Sequence, residues 1–173
     1  MQDIGQKAGV TGPAIYRHFS GKQALFAEVY QWAAGELIGS AIKRAESLDP
    51  ADAALELLQA HAHMCAYRPK WVRAWMTVDG HLPKALARAT RDQMREYVGH
   101  WRDAIAALRP DLPEDQQSEL ASLVRGALSG TAWYGTSLPP AASEAMLVQA
   151  GLAVLYRTPA VLVGTAGAAA ATG

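Results

Sequence analysis

Five polar side chains near the start of the chain could bind a nucleic acid. They lie between positions 11 and 22 and are Thr11, Tyr16, Arg17, His18 and Lys22. Hydroxyl, imidazole and ammonium groups donate hydrogen bonds to phosphate oxygens, whereas a guanidinium also contacts the edges of bases, guanine most often. The pattern therefore indicates a short segment that holds a phosphate backbone and contacts bases.

Two short helices joined at Gly9 are predicted to position these side chains. Gly9 follows a helical pattern over Gln2–Ala8 and permits the positive φ of a tight turn. Thr11 is a suitable N-cap, and Pro13 suits the first turn of a second helix over residues 12–19. The apolar side chains that would fix the crossing of the two helices are Ile4, Ala8, Val10, Ile15 and Phe19.

A second candidate site lies in the rest of the chain, where aromatic and methionine side chains recur at helical spacing. Any one of them alone is typical of ordinary core, but together they exceed what a compact bundle of this size needs, and such side chains suit an adaptable apolar pocket. Met76 belongs to the same pattern. The predicted pocket residues are His61, Met64, Cys65, Trp71, Trp75, Met94, Tyr97, Trp101, Trp133 and Tyr134.

Metal binding and catalysis find less support. In His61-x-His63-x-Cys65 the two histidines would lie on different sides of a helix, which leaves only His61 and Cys65 at i, i+4. Because no second cluster accompanies them, core or pocket lining is favoured over a metal site. The sequence shows no nucleophile elbow, phosphate loop or framed carboxylate pair, so we expect neither an enzyme nor a cofactor.

The composition predicts an all-α protein. The chain has 173 residues, 50% of them hydrophobic, and no formal net charge, so any basic footprint must be local. A single cysteine excludes an internal disulfide framework. No apolar run approaches the roughly eighteen residues of a membrane span, and no secretion signal is visible. We therefore expect a cytoplasmic protein without a membrane partner.

Prolines, glycines and caps divide the body into helices. Asp49 is a suitable N-cap for the helix that begins at Pro50 and stops before Pro69. The other predicted helices cover residues 22–47, 71–78, 83–109, 113–138 and 141–156. Leu25, Phe26, Val29, Trp32 and Leu37 fall on one side of the first of these. The tail, 158–173, is rich in alanine and glycine and is expected to be disordered.

The N-terminal segment resembles the TetR (tetracycline-repressor) family of transcriptional regulators. The similarity covers nearly every position from Ile4 to Leu25. It includes Ala8-Gly9-Val10-Thr11, Ile15-Tyr16-x-His18-Phe19 and Lys22-x-x-Leu25. The resemblance implies that residues 12–19 are a recognition helix in the major groove. It also implies a helix-turn-helix followed by a helical ligand-binding and dimerisation body.

The resemblance further assigns roles to individual residues. Thr11, Tyr16, His18 and Lys22 would bind phosphates, and Gln2 is also counted among the DNA-binding residues. Gly12, Pro13, Ala14 and Arg17 would face bases, and Arg17 is the best candidate for base-specific contact.

Family members carry a further helix before this point, whereas Met1 falls where their second helix begins. The head is therefore expected to lack this helix, and three explanations stay open: the start is assigned too late, the segment has been trimmed, or the protein has lost the helix, in which case Ile15, Phe19 and Phe26 would be partly uncovered. This leaves two functional interpretations. One is a repressor that binds a palindromic operator as a dimer. The alternative is a small-molecule binding protein of the same descent that has lost DNA binding with its first helix.

The expected organisation is a head at 1–30, a helical body at 31–157 and the tail. The resemblance implies a homodimer formed by the last two helices. Ser122, Gly126 and Gly130 form a row of small residues suited to a close approach between helices, either across that interface or within the subunit. Residues 71–83 are similar to regulators of lipid, acyl-thioester or steroid catabolism. The expected effector is accordingly a small hydrophobic or amphipathic molecule that releases double-stranded DNA.

Overall fold

The computed structural model describes residues 1–77 and 84–158 of the chain, and every regular element in that part is helical. The prediction of an all-α fold is confirmed. The helices are α1 (Gln2–Ala8), α2 (Gly12–Tyr16), α3 (Lys22–Ala34), α4 (Ser40–Ala45), α5 (Pro50–Tyr67), α6 (Pro69–Thr77), α7 (Lys84–Leu108), α8 (Glu114–Tyr134) and α9 (Pro140–Arg157). The predicted tail beyond Thr158 and positions 78–83 lie outside the described residues.

Helix α5 lies at the centre of the body. It begins at Asp49, whose carboxylate accepts hydrogen bonds from the backbone N–H groups of Ala51 and Asp52 at 3.0 and 3.2 Å. Its side chains Leu57 and Leu58 are fully buried, because α4, α7, α8 and α9 all pack around it. The core of the body is therefore formed where the surrounding helices pack on α5.

A continuous helical run joins the N-terminal helices to this body. It consists of α3, a π-helical segment at Gly35–Gly39, and α4. Its buried side carries Tyr30, Ala33, Ala34 and Ile38. Phe26, Val29 and Trp32, which the sequence places on one side of this helix, are 38%, 49% and 68% exposed, so that side is not the buried one. Contact with the body decides the inner side: Tyr30 packs on Trp71 and Trp75 of α6, at ring centroid distances of 5.9 and 6.5 Å.

Helices α8 and α9 pack against each other and against α5. At Gly151 of α9 a Cβ atom would lie 2.9 Å from a methyl carbon of Leu58, so this glycine brings α9 close to α5. At the far end, the Arg109 guanidinium pairs with Asp111 and donates to the Leu155 and Thr158 carbonyls at 2.8 and 3.0 Å. These contacts hold the last helix onto the body. Among the described helices, none combines the length and apolar character that crossing a bilayer requires.

Candidate nucleic-acid interface and internal cavity

Helices α1 and α2 form a tight helix-turn-helix. Gly9 ends α1 at φ 69° and ψ 23°, and its N–H bonds to the carbonyls of Gln6 and Gly5. Thr11 caps α2, because its hydroxyl oxygen accepts a hydrogen bond from the Ala14 N–H at 3.3 Å. The hydroxyl hydrogen of Thr11 is therefore still free to be donated to another acceptor, such as a phosphate.

Helix α2 is shorter than predicted. The expected span was 12–19, but regular α-helix ends at Tyr16. The N–H groups of His18 and Phe19 both bond to the Ile15 carbonyl at 3.0 Å, so the last turn tightens. Arg17 and His18 consequently project from a turn at the end of the helix.

The described surface presents most of the predicted DNA-binding residues together. Seven of the nine are exposed on α1, α2, the following turn and the start of α3: Gln2, Thr11, Pro13, Tyr16, Arg17, His18 and Lys22. Ala14 is half-buried. Gly12 is buried with Gln2 against it, at 3.5 Å from the Gln2 Cγ to the position of a Cβ, so the expectation that Gly12 faces bases needs correction.

This surface carries only a small excess of positive charge. The charged side chains of residues 1–30 are Lys7, Arg17 and Lys22 on the basic side and Asp3 and Glu28 on the acidic side. Helix α3 begins at Gly21 without a side-chain cap among the described residues. Its first N–H groups thus lie beside Lys22 and can bind an anion.

A cavity of about 290 Å³ lies between α5, α6, α7 and α8 and opens to solvent beside Met76, Ser122 and Gly126, which are exposed. Helix α6 closes one wall, and Arg73 fixes this helix by donating to the Ala132 carbonyl at 2.9 Å. The cavity is lined by His61, Met64, Val72, Trp75, Met76, Met94, Tyr97, Ser122, Arg125, Gly126 and Ser129. Most of its apolar wall comes from α6 and α7, whereas α8 contributes polar groups.

A buried hydrogen-bond network forms the floor of this cavity. His61 Nδ1 lies 2.9 Å from the Tyr97 hydroxyl, and His61 Nε2 lies 2.9 Å from Ser129 Oγ. Desolvation, with a smaller contribution from the Arg125 charge, lowers the pKa of His61 to about 4. The imidazole is therefore neutral at physiological pH, with one nitrogen donating and the other accepting.

Arg125 is the cation of the cavity. Its Nε donates to the Ala121 carbonyl at 3.1 Å and its Nη2 lies 3.4 Å from Ser122 Oγ, both on its own helix. The side chain is half-buried, and desolvation lowers the pKa of its guanidinium. Among the described residues no carboxylate lines the cavity beside it.

The helix-turn-helix matches a known family. The model of bacterial regulatory proteins of the tetR family matches residues 1–29, a range that contains α1, the Gly9 turn, α2 and the start of α3. Residues 1–29 are therefore similar to the helix-turn-helix of this family.

Two solved structures show the same fold over most of the chain. One is a TetR-family transcriptional regulator from Bordetella parapertussis, with a TM-score of 0.72, 19% identity, and coverage of 92% of this chain and 86% of that one. Another is the TetR-family regulator PfmR from Thermus thermophilus, with a TM-score of 0.72, 18% identity, and coverage of 89% and 86%. No curated protein sequence matches the chain.

The helical body places the predicted pocket residues at three depths. Five line the cavity: His61, Met64, Trp75, Met94 and Tyr97. Trp71 packs on Trp75 behind the wall, Cys65 is buried beside Ser129, and Trp101 is 0% exposed in the core. Trp133 and Tyr134 are 45% and 88% exposed and line a shallow depression outside, so they do not line the internal cavity.

Several cavity residues escaped sequence reasoning. Ser122, Arg125 and Ser129 lie on one face of α8 at i, i+3 and i+7, a polar stripe in the second, mostly apolar part of this helix. That stripe was the available signal. On sequence alone, Ser122 and Gly126 belong to a row of small residues for close helix packing and do not stand out as cavity residues. In the structure both line the cavity at its exposed edge. His63, by contrast, contacts Glu144 on the surface at 3.0 Å.

Proposed function

We propose that this protein is a dimeric, ligand-responsive repressor that binds a palindromic DNA operator and releases it when a small hydrophobic or amphipathic molecule enters the cavity. The observation that carries this proposal is the TetR-type helix-turn-helix on the same chain as a body with an internal cavity. The solved structures with this fold are transcriptional regulators by name.

DNA binding is supported by the exposed polar set on the head. Tyr16, Arg17 and His18 project from the end of α2, and Lys22 lies beside the free N–H groups of α3. This arrangement combines phosphate contacts with one guanidinium for a base edge. Because a single head carries few basic side chains, tight binding requires two heads on one duplex.

Dimerisation is supported by the outer faces of α8 and α9. The exposed residues on this surface between positions 122 and 156 are uncharged: Ser122, Leu123, Gly126, Ala127, Trp133, Tyr134, Ala141, Ala142, Ala145, Met146, Gln149, Ala150, Ala153 and Tyr156. Contiguous apolar surface of this kind marks an association site. A two-fold interface here would place two recognition helices in successive major grooves, about 34–36 Å apart.

Coupling between cavity and head follows from aromatic contacts. Trp75 lines the cavity and packs on Tyr30 of α3. Tyr30 in turn contacts Phe26, with ring centroids 5.9 Å apart, toward the head. A ligand that displaces Trp75 would therefore shift α3. The ligand regulates DNA binding only if it prefers one position of α3 over the other.

The proposal is tested by selecting DNA duplexes from a randomised pool with the purified protein. The affinity for the selected duplexes is then measured at several salt concentrations. We expect a palindromic consensus, and affinity that falls steeply with salt because several phosphates are neutralised. Lys22→Ala should weaken binding to all sequences equally, whereas Lys43→Ala on α4 serves as the matched control. Without enrichment of any sequence, DNA binding is rejected.

A second candidate function is small-molecule binding without DNA binding. It is favoured by the apolar side chains that remain exposed on the head and on α3, among them Val10 at 48% and Trp32 at 68%. This candidate predicts that ligands bind to the cavity while the selection yields no consensus. The repressor proposal predicts both ligand binding and a consensus.

A further inference from the structure

We propose that the cavity takes an amphipathic carboxylate, with the carboxylate bound by Arg125 and the apolar body lying against Trp75, Met76 and Met94. This inference rests on the proposed ligand-binding function and names the class of ligand. It assigns to Arg125 the role of counter-ion for the ligand.

The cavity is divided by polarity in a way that matches such a molecule. Its α6 and α7 side offers an indole and thioether side chains from Trp75, Met76 and Met94. Its α8 side offers Ser122, Arg125 and Ser129 on one helical face. A ligand lying across the cavity therefore has an apolar wall at one end and a guanidinium with hydroxyl groups at the other.

The charge of Arg125 decides the sign of the ligand. A guanidinium stays protonated in proteins, so the half-buried side chain keeps its charge inside an apolar cavity. Its hydrogen bonds go to one carbonyl and one hydroxyl of its own helix, and no salt bridge to it exists among the described residues. A carboxylate would supply the missing counter-ion and accept two parallel N–H bonds, whereas a cationic ligand would be repelled.

The size and polarity of the site favour a carboxylate over a larger anion. About 290 Å³ is at the lower end of small-molecule sites. One guanidinium matches the two oxygens of a carboxylate, whereas the hydroxyl groups of Ser122 and Ser129 already bond to Ser118 and His61. His61 is fixed as a neutral group by Tyr97 and Ser129, so it adds no second positive charge. A phosphate would need more cationic donors than the described lining provides.

The test measures binding through the intrinsic fluorescence of the tryptophans, since Trp75 lines the cavity and Trp71 packs on it. The probes are octanoate and 4-phenylbutyrate, each paired with its alcohol, and octylammonium, all below their aggregation concentrations. The two acids distinguish an aliphatic from an aromatic ligand body. We expect at least one acid to bind about tenfold or more tightly than its alcohol, and octylammonium not to bind.

Two variants assign the preference to one residue. Arg125→Met should abolish the advantage of the acid while leaving alcohol binding intact. Arg91→Met is the matched control, because Arg91 is exposed on α7 in a depression that adjoins Trp75 and Met94. The melting temperature of ligand-free Arg125→Met should be unchanged or raised, since a partly desolvated charge is removed. An arginine with a structural role would lower it.

The outcomes separate this inference from the proposed function. If acid and alcohol bind equally, or if Arg125→Met keeps the preference, the carboxylate assignment is overturned while the cavity remains a ligand site. If no probe binds, the assignment also fails. Duplex selection, which needs no ligand, then decides DNA binding independently.

Discussion

At the scale of single residues, His61 shows how a polar group can be buried at the floor of the cavity without losing its hydrogen bonds. The imidazole is buried yet fully hydrogen-bonded, between the Tyr97 hydroxyl and Ser129 Oγ. Its neighbour Cys65 is also buried, which raises the pKa of the thiol to about 12 and keeps it protonated. The floor therefore holds neutral groups, and the charge available to a ligand comes from Arg125.

The burial of His61 predicts a loss of stability in mild acid. The folded pKa of about 4 lies below the unfolded value of 6.5, so the unfolded chain takes up a proton first as the pH falls. Stability from this residue is complete above about pH 6.5 and is lost as the pH falls towards about 4. Denaturant unfolding should show a loss on the order of 2 kcal/mol between about pH 7.5 and about pH 5.

The matched variant for this experiment is His61→Gln, which retains donor and acceptor groups but does not titrate in this range. The pH dependence of its unfolding free energy should be shallower than that of the original protein. Equal pH dependence in both would show that His61 is not the responsible group.

Arg17 is predicted to contact a base. Arg17→Ala should lower affinity for the selected operator by about 1–3 kcal/mol and relax the preference at one position of each half-site. The measurement is binding to the operator and to duplexes changed singly at each position. If affinity falls equally for all sequences, Arg17 contacts only phosphate.

At the scale of helices, the caps fix where elements begin. Asp49 is the clearest case, because one carboxylate oxygen accepts from two backbone N–H groups of the central helix α5. Asp49→Ala should lower the free energy of unfolding by about 1 kcal/mol, measured by chemical denaturation. Asp49→Asn, which keeps an acceptor oxygen, should lose less. A loss as large for asparagine as for alanine would contradict the capping role.

Local chemistry explains which helices the sequence could predict. Gly9, Thr11 and Asp49 act within a few residues of themselves, so the turn and both caps were predictable. The buried side of α3 could not be predicted, because Phe26 and Tyr30 are both compatible with a helical repeat of apolar residues. Only contact with α6 decides between them.

The same limit applies to the cavity. Tyr97 and Trp101 share one side of α7, one helical turn apart, yet one lines the cavity and the other is core. Periodicity gives the side of a helix but not the depth along its axis. Arg125 was missed because a single arginine on a helix is usually exposed to solvent. The DNA contacts stay predictions.

At the scale of the whole molecule, the absence of net charge makes assembly central. A chain with 16 basic and 16 acidic residues has no general attraction to DNA, so the two local heads must act together. The uncharged outer surface of α8 and α9 is where the proposal places the partner. In the proposed two-fold interface each surface residue would act twice.

This arrangement predicts the effect of a charge at the interface. Ala127 is exposed on the outer side of α8, so Ala127→Glu should leave the subunit folded but weaken the dimer by about 2 kcal/mol or more for each copy. Sedimentation equilibrium gives the dissociation constant. Ala107→Glu, at an exposed position on α7, is the control and should leave it unchanged. If the unmodified protein and both variants are all monomers, this interface is rejected.

The most direct test of dimeric operator binding compares a selected palindromic duplex with a duplex that keeps a single half-site. Affinity and the mass of the complex are measured together for the unmodified protein. We expect two chains on the palindrome, with half-site centres one helical turn apart, and much weaker binding to the single half-site. Equal affinity for the two duplexes, or binding to neither, would contradict it.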